Sequence, residues 1–370
     1  VLEVASLQDD NRSWQKRNRL VHVYRGFVAL TLILILLVCR QLVLRKPAEI
    51  DLRQYPPVGA GTQLTTPNSF IVSDPYAYPG IYHKAQLHVH TSRSFDGHWS
   101  VKEAVQAYHD AGYTYVALTD HDKVTIYRDL DGPEFVTIAG EENTVPWPFW
   151  PLGAHMLRLF VGTHGRSGNA QGRIDSARDA GGIAGLAHPS WVGNLQTGQW
   201  TVSQMLALTG YQLVEVYNPH SDPQEDTRRW HELIRRLGAS RPVWAIAVDD
   251  SHSPELFNHG WIVVKTEGVS QEALKAALQR GSFYATTGVS VDFGAEDNRI
   301  MVRVLDEEPA EIRFIDSTGA AVKQVTGLFA QYAPSGGEVF IRAEVRSQSQ
   351  KTAWSQPFWL IPDAGRGSPQ

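Results

Sequence analysis

The sequence predicts an α/β protein whose main domain is a parallel β-sheet, closed or nearly closed into a barrel. Two observations carry this prediction. Seven apolar, β-branched runs of strand length recur through the central part of the chain, and helix-like stretches separate several of them. From about residue 290 the pattern changes to short alternating segments with turn signals, which predicts a small antiparallel β-sandwich. The seven runs are AQLHVH, YVALTDHD, FVTIAGEEN, HMLRLFVG, GIAGLAHP, LVEVYN and VWAIAVDDSH.

An uncharged apolar segment near the amino terminus, GFVALTLILILLVC, extends from Gly26 to Cys39. Continued through Leu44 it forms a helix of about 19 residues, close to the minimum that crosses a bilayer. No small-x-small cleavage site follows it, which favours an uncleaved anchor over a cleaved signal peptide. Five basic residues lie between positions 12 and 25, and three lie between 40 and 46. The positive-inside rule therefore predicts a cytoplasmic amino terminus and a single-pass protein with its catalytic domain outside the cytoplasm.

The domain organisation follows from these changes of pattern. We expect a cytoplasmic tail at 1–25, a transmembrane anchor at 26–45, and a linker rich in Pro, Gly, Ser and Thr at 46–80. The barrel should occupy 81–289 and the β-sandwich 290–370. Helices are predicted in five stretches: Val101–Gly112 with Ser100 as N-cap, Arg173–Gly181, Val202–Leu208, Gln224–Gly238 and Ser270–Arg280.

Composition excludes several classes of protein. A hydrophobic content of 42% is ordinary for a folded chain and excludes general disorder. The net charge of −5, without a long Lys/Arg run, gives no dedicated nucleic-acid surface. Cys39 is the single cysteine, so neither an intrachain disulfide nor a thiolate cluster can form. Any metal ion must therefore be held by imidazole and carboxylate groups.

Residues that can bind metal ions stand at the ends of most of the seven runs. They are His88 and His90 in the first run, His121 in the second, Glu142 in the third, His188 in the fifth, and Asp250 with His252 in the seventh. The carboxyl ends of parallel barrel strands open on one face, so these side chains should converge there. His155 departs from the pattern because it begins the fourth run.

The spacing within two of these pairs favours chelation. Residues two apart on a strand point the same way, so His88 and His90 can hold one ion, as can Asp250 and His252. One such pair is weak evidence, because a His-x-His sequence often arises by chance. The joint pattern of histidines and carboxylates at successive strand ends predicts a metal site suited to Zn, Fe or Mn.

Seven motifs occur in a characteristic order: LHVHTSRSFDG, LTDHD, IAGEEN, GAHMLRLFVG, LAHPSW, VEVYN and AVDDSH. In this order they resemble the motifs of the PHP (polymerase and histidinol phosphatase) phosphoesterases, from about Tyr82 to Val289. The resemblance implies a distorted (β/α)7 barrel, two or three divalent ions (Mn, Fe or Zn), and hydrolysis of phosphate esters.

The resemblance also implies a distribution of the ligands. One ion would take His88, His90, Glu142 and Asp250; a second would share Glu142 and add His155 and His188; a third would take Asp96, His121 and His252. Asp96 stands where some family members have histidine, and one extra residue separates it from His90.

Two neighbouring acids compete with these candidates. The family's Gly-x-Glu spacing after Gly140 selects Glu142 over Glu141, and its Asp-x-His spacing selects Asp250 over Asp249. We expect Asp249 to orient a ligand from behind the metal site.

Other residues have two interpretations each. His220, in the loop after the sixth run, is either a proton donor to the leaving group or a solvated histidine. Glu215 and Asn218 have either a supporting role at the site or a structural one. The aromatic loop with Trp147, Phe149 and Trp150 either packs on the domain or forms an apolar wall for the leaving group. Three histidines that follow no motif are expected at the surface: His98, His164 and His259.

Taken together, the sequence predicts a membrane-anchored, metal-dependent phosphoesterase acting on a small-molecule phosphate ester. Hydroxide activated by the ions would attack phosphorus, with Glu142, Asp250 and His220 as catalytic residues. No Ser or Cys nucleophile motif is present, which favours direct hydrolysis. Two alternatives remain open. One is a metal-dependent hydrolase of another bond, and the other is a non-catalytic membrane-anchored binding module.

Overall fold

The computed structural model describes residues 19, 22–41, 46, 48–58, 70–147, 150–166, 168–193 and 195–363. The chain has a mixed α/β fold with a large central sheet. It divides into two compact units, Val1–Lys46 and Pro47–Gln370.

The first unit contains helix α1, His22–Gln41, which has 20 residues. It is long and apolar enough to cross a membrane, and a signal sequence would have the same properties. Residues 42–45 of the predicted anchor lie outside the described residues, as does most of the predicted tail at 1–25.

The helices of the second unit lie within a few residues of the five predicted ones. Ser100 begins the first of them through a capping box, in which its side chain accepts from the Glu103 amide and the Glu103 carboxylate accepts from the Ser100 amide. The five are α2 (Val101–Asp110), α3 (Ala170–Asp179), α4 (Val202–Ala207), α5 (Pro223–Leu237) and α6 (Gln271–Arg280), and short 3₁₀ helices occur at Leu52–Gln54 and Pro254–Leu256.

The strands of the second unit form a 15-stranded and a 3-stranded sheet. In chain order they are β1 (Phe70–Ser73), β2 (Ile81–Gln86), β3 (Tyr115–Leu118), β4 (Val136–Thr144), β5 (His155–Leu159), β6 (Ile183–Leu186), β7 (Leu213–Tyr217), β8 (Trp244–Ala247), β9 (Trp261–Thr266), β10 (Phe283–Thr286), β11 (Val291–Glu296), β12 (Arg299–Val304), β13 (Ala310–Asp316), β14 (Ala321–Gly327), β15 (Phe329–Tyr332), β16 (Phe340–Arg346), β17 (Thr352–Trp354) and β18 (Phe358–Pro362). The order in the larger sheet is β1-β18-β16-β17-β10-β9-β2-β3-β4-β5-β6-β7-β8, with β13 pairing β14 and β16, and the smaller sheet is β11-β12-β15.

Strands β2 to β8 overlap the seven apolar runs of the sequence and follow one another in the sheet, although β2 shares only Ala85 and Gln86 with the first run. The pairs β2 with β3, β3 with β4, β6 with β7, and β7 with β8 are parallel. Beyond the ends of β2 and β8, Val89 and Ser251 form a parallel bridge. This bridge brings the last strand of the series back to the first.

The expectation that the whole sheet is parallel is wrong at β5. This strand is antiparallel to both β4 and β6, and His155 pairs with Thr144. A parallel strand would need a long crossover connection, whereas β4 and β5 are joined by the ten residues 145–154. Because β5 is reversed, its amino end lies beside the carboxyl end of β4, which explains why His155 begins its strand.

The carboxy-terminal strands continue the central sheet. Strand β10 pairs antiparallel with both β9 and β17. Strand β1 lies within the predicted linker at 46–80 and pairs antiparallel with β18; residues 59–69 of that segment are outside the described residues. One buried apolar cluster contains side chains of β1, β10 and β18, namely Val72, Tyr284 and Phe358.

Helix α5 packs against the carboxy-terminal strands through Trp230. Its side chain is fully buried, and the indole Nε1 donates a 2.9 Å hydrogen bond to the Val243 carbonyl. The Arg342 guanidinium of β16 lies 5.6 Å from the Trp230 ring centre. Trp230 therefore connects α5 to the segment before β8 and to β16.

Replacing Trp230 by alanine should lower the free energy of unfolding by about 3–5 kcal/mol, because it leaves a cavity and an unpaired carbonyl. Denaturant unfolding followed by far-UV circular dichroism measures this. Trp150→Ala is the matched control, since Trp150 is 55% exposed and its loss should cost less than about 1.5 kcal/mol. Equal losses in the two variants would contradict the packing role of Trp230.

Candidate metal centre

The structure brings all nine predicted ligands to one edge of the β2–β8 series. His88 and His90 follow β2, His121 follows β3, Glu142 lies near the end of β4, His155 starts β5, His188 follows β6, and Asp250 and His252 follow β8. Asp96 lies in the loop after His90.

The Glu142 carboxylate is fully buried and lies at the centre of the cluster. Its Oε1 atom is 3.0 Å from His155 Nδ1 and 3.0 Å from His188 Nε2. Its Oε2 atom is 2.9 Å from His121 Nδ1 and 3.3 Å from His90 Nε2. One carboxylate thus faces imidazole groups on both of its oxygens.

His88 and His90 approach a second carboxylate, that of Asp250. Their Nε2 atoms are 3.2 and 3.0 Å from Asp250 Oδ1, and 3.0 Å from each other. His88 Nε2 is also 3.5 Å from Glu142 Oε2. Donor atoms of these four residues all lie within 4.8 Å of one another, so the first predicted ligand set is assembled as one group.

The other clusters of possible metal ligands differ in part from the predicted ligand sets. The donor groups within the same distance limit are His90, Asp96, His121 and His252; His121, Glu142 and His155; and His220, Asp250 and His252. His90 thus joins the predicted set of Asp96, His121 and His252. His121 takes the place expected for His188 beside Glu142 and His155, although His188 contacts Glu142 directly.

Asp96 reaches the cluster despite the extra residue between it and His90. Its Oδ2 atom is 3.4 Å from His121 Nε2 and 3.6 Å from His252 Nε2. The aspartate is half-buried, so this part of the cluster lies nearer to solvent than Glu142 does.

The residues fit a group of divalent cations. Among the described residues, buried Glu142 Oε2, Asp250 Oδ1 and His188 Nδ1 have no hydrogen-bond partner of acceptable geometry. A buried carboxylate oxygen without a partner is unfavourable unless a cation is nearby. Imidazole nitrogens and carboxylate oxygens are ligands that Zn, Fe and Mn accept.

The electrostatics of the cluster keep its carboxylates ionised. Burial alone would raise the pKa of Glu142, but His155, His121 and His88 lower that pKa well below its ordinary value. Burial lowers the pKa of His155. Burial also opposes the proton on His121, but Glu142 and Asp96 outweigh it and raise the pKa of His121 to about 10. A cation bound by His121 would therefore displace a proton there.

Glu215 and Asn218 contact the candidate ligands from behind. Glu215 Oε1 is 2.7 Å from His88 Nδ1, and its Oε2 accepts a 2.7 Å hydrogen bond from the His188 amide. The Asn218 amide group donates to Glu215 at 2.8 Å and to Asp250 at 3.1 Å. These contacts fix the ring of His88 and the carboxylate of Asp250.

Ser94 and Asp120 have a similar role that the sequence analysis did not identify. Ser94 Oγ is 2.9 Å from His90 Nδ1, accepts from the His121 amide at 2.9 Å and donates to Asp120 at 3.0 Å. Asp120 also accepts from the Thr91 amide at 2.7 Å. In the sequence, the position of Asp120 directly before the candidate ligand His121 was the signal that could have identified this supporting role.

Glu141 points away from the cluster. It contacts the Arg158 guanidinium, lies 2.6 Å from His164 Nδ1, and accepts from the Gly165 amide at 2.8 Å. His164, whose side chain is 28% exposed, is thus a half-buried partner of a buried acid. The side chain of His98 is exposed.

Asp249 does not orient a ligand as expected. Its carboxylate accepts hydrogen bonds from the Tyr108 hydroxyl at 2.8 Å and from the amides of Asn258, His259 and Gly260 at 2.6–2.8 Å. It therefore orders the loop before β9. His259 is half-buried in that loop, and its Nε2 atom is 3.1 Å from the carbonyl oxygen of Glu255.

His220 lies at the rim of the cluster and is exposed. Its Nε2 atom is 3.3 Å from the Asp250 carbonyl oxygen, and its ring is 5.7 Å from that of His252. The side chain is therefore close to the candidate ligands while remaining open to solvent.

Aromatic side chains flank the cluster. Phe95, 66% exposed, stacks on His121 with ring centres 5.1 Å apart, and the Trp150 ring meets Phe95 edge-on at 6.3 Å. On another side, Trp191 lies 5.0 Å from the rings of His155 and His188. Trp147 is half-buried, whereas Phe149 lies outside the described residues.

Two candidate ligands have a left-handed backbone. The φ angles are 28° at His188 and 47° at Asp250. Non-glycine residues adopt this region at a cost, and such residues cluster at functional sites.

Comparison with known proteins connects this geometry to a family. The PHP domain family model matches residues 86–156, and no curated protein matches the chain. One similar solved structure is a two-domain protein from Bacteroides vulgatus containing a predicted PHP-like metal-dependent phosphoesterase, at 15% identity and a TM-score of 0.45, covering 79% of this chain and 98% of that one. Another is a candidate metal-dependent phosphoesterase from Bifidobacterium adolescentis, at 14% identity and a TM-score of 0.37, covering 53% of this chain and 96% of that one. The resemblance to the PHP family indicated by the motifs is thus supported by a family model over residues 86–156, a segment that carries six of the nine candidate ligands.

Proposed function

We propose that this protein is a metal-dependent phosphoesterase that hydrolyses a small-molecule phosphate ester without a covalent intermediate. The observation that carries the proposal is the buried Glu142 carboxylate, whose two oxygens lie 2.9–3.5 Å from five imidazole groups. A carboxylate can bind one cation through each oxygen, which is the requirement for a shared ligand between closely spaced ions.

We propose that His88, His90, Glu142 and Asp250 hold one ion, that His155, His188 and Glu142 hold a second, and that Asp96, His121 and His252 hold a third. Divalent Mn, Fe or Zn at these positions would supply the Lewis acidity that lowers the pKa of water and neutralises phosphate charge.

The chain's own residues would orient these ligands and the substrate. Glu215 and Ser94 hold the imidazole rings of His88 and His90 through their Nδ1 atoms, leaving the Nε2 atoms directed at the carboxylates. His220 is positioned at the solvent side to give a proton to the leaving group. The exposed rings of Phe95 and Trp150 would form the apolar wall against which that group rests.

We also propose the finer architecture of the chain. Strands β2–β8 would form a distorted (β/α)7 barrel, supported by the bridge between Val89 and Ser251. The antiparallel strands after β10 would form a sandwich that packs on it, supported by their shared apolar cluster. Helix α1 would anchor the protein in a lipid bilayer in a single pass, with the catalytic unit outside the cytoplasm.

Glu142→Gln should remove most of the bound metal and nearly all hydrolysis, because a neutral amide cannot balance the charge of two cations. Metal content by mass spectrometry and turnover of p-nitrophenyl phosphate measure both effects. Normal metal content in this variant would rule out Glu142 as the shared ligand.

Glu141→Gln is the matched control for that experiment. Per folded molecule, it should keep its metal and its activity, because Glu141 faces Arg158 and His164 instead of the cluster. It should nevertheless unfold more easily, by about 1–3 kcal/mol, since a buried charged hydrogen bond is lost. Metal loss equal to that of Glu142→Gln would argue against the assignment.

His220→Gln should lower kcat by about 10²-fold for an alkyl phosphate, whose poor leaving group needs a proton. With p-nitrophenyl phosphate, whose leaving group needs none, kcat should fall less than about threefold. His98→Gln, at another exposed histidine, should change neither rate. A loss of the same size for both substrates would indicate a structural role for His220.

The full chain should remain in the pellet after an alkaline carbonate wash of membranes, because α1 has the length and apolarity of a membrane span. A chain cut between α1 and β1 is the control, and its catalytic unit should move to the supernatant. Release of the intact chain by carbonate would disprove the anchor.

A further inference from the structure

A second cavity, of about 590 Å³, lies between helix α5 and the face formed by β13 and β16. Its volume is within the usual range for small-molecule sites, roughly 300–1,000 Å³. None of the nine candidate metal ligands lines it, nor does His220. The phosphoesterase reaction proposed above therefore does not account for this cavity.

Charged side chains form its sheet wall. Strands β13 and β16 are antiparallel, and alternate residues of a strand share one face. The cross-strand neighbours that line the cavity are Glu311 with Arg346, Arg313 with Glu344, and Ile315 with Arg342. Three guanidinium groups therefore face the same space.

The acids on this wall do not neutralise all three arginines. Glu344 accepts a 2.5 Å hydrogen bond from Arg342 and lies 3.5 Å from Arg313. Glu311 accepts a hydrogen bond from Gln324 at 2.8 Å. Within the part of the chain that the structure describes, Arg346 has neither an ion pair nor a side-chain hydrogen bond. Its five N–H donors are available to a ligand.

The helix wall adds another donor and no free acid. Thr227 is 8% exposed, and its hydroxyl has no hydrogen-bond partner among the residues described. Arg228 is paired with Glu225 at 2.7 Å. Asp222 caps α5 by accepting from the amides of Gln224 and Glu225. Arg228 is therefore balanced by an acid outside the cavity, and the rest of the lining holds three arginines and three acidic residues, among which Arg346 is the guanidinium without an ion pair in the described part of the chain.

Apolar groups complete the lining. The rings of Tyr217 and Trp354 lie 6.4 Å apart, and Ile315 stands on the sheet face beside Arg342. A ligand that matches both surfaces needs one anionic head and a compact apolar body.

We propose that this cavity is a binding site for a small organic monocarboxylate. The carboxylate would meet Arg346 and Arg313, whose planar guanidinium groups match its two oxygens, with the Thr227 hydroxyl as a further donor. The one guanidinium without an ion pair in the described part of the chain, that of Arg346, matches the charge of a monovalent carboxylate better than that of a divalent phosphate ester, so this site would select a different ligand from the candidate metal centre.

The test is fluorine NMR with 4-fluorobenzoate and the full-length, metal-loaded protein. The wild type should bind the probe saturably in the millimolar range or tighter. Arg346→Gln should weaken binding by about tenfold or more, because a charged hydrogen bond is lost, whereas Arg346→Lys should keep part of the affinity. Arg299→Gln, on β12 outside the cavity, is the control and should bind like the wild type. Unchanged melting temperatures show that the variants are folded.

Three results would overturn the proposal. One is the absence of saturable binding by the wild type. Another is equal affinity in the wild type and the folded Arg346→Gln protein. The third is binding that disappears in Asp250→Asn while persisting in Arg346→Gln, since this would place the probe at the metal centre. None of these results depends on whether the protein hydrolyses phosphate esters.

Discussion

The position of Glu142 places a negative charge where water cannot reach it, and the arrangement of the site depends on that charge. Removing a carboxylate from water costs several kcal/mol unless nearby groups compensate. Here the compensation comes from five imidazole groups on four different segments of the chain, and from any cations they hold. The segments must therefore meet at one edge of the sheet, which is where the order of the strands brings them.

Much of this arrangement follows from the sequence. Apolar runs of strand length predicted β2–β8, and helix-like stretches predicted the helices, the first of them with Ser100 as its N-cap, because these signals are local. The convergence of His88, His121 and Glu142 followed from the rule that the carboxyl ends of parallel strands share an edge. The direction of β5 did not follow, because alternation along a strand is the same in either direction. His155 was therefore included among the candidate ligands without an explanation for its place in the strand.

Long-range contacts were not predictable in the same way. Ser94 contacts both His90 and Asp120, and a serine in a loop carries no pattern that specifies such partners. Phe95 stacks on His121 although its neighbours in sequence are polar. Periodicity shows which face of a strand is buried, but it does not identify the partner strand. The pairing of β1 with β18, almost three hundred residues apart in sequence, is such a case.

The reversed strand β5 has a consequence for how the protein can diversify. Glu142 and His155 belong to two arms of one hairpin, and the pairing of Thr144 with His155 fixes the distance between the arms. Trp150, an exposed residue of the connection, meets Phe95 at the rim of the candidate metal centre. Insertions, deletions or exchanges in this connecting segment could reshape the rim while the paired backbone keeps both ligands in register. The hairpin thus separates a fixed interior geometry from an exchangeable surface within the fourteen consecutive residues from Glu142 to His155.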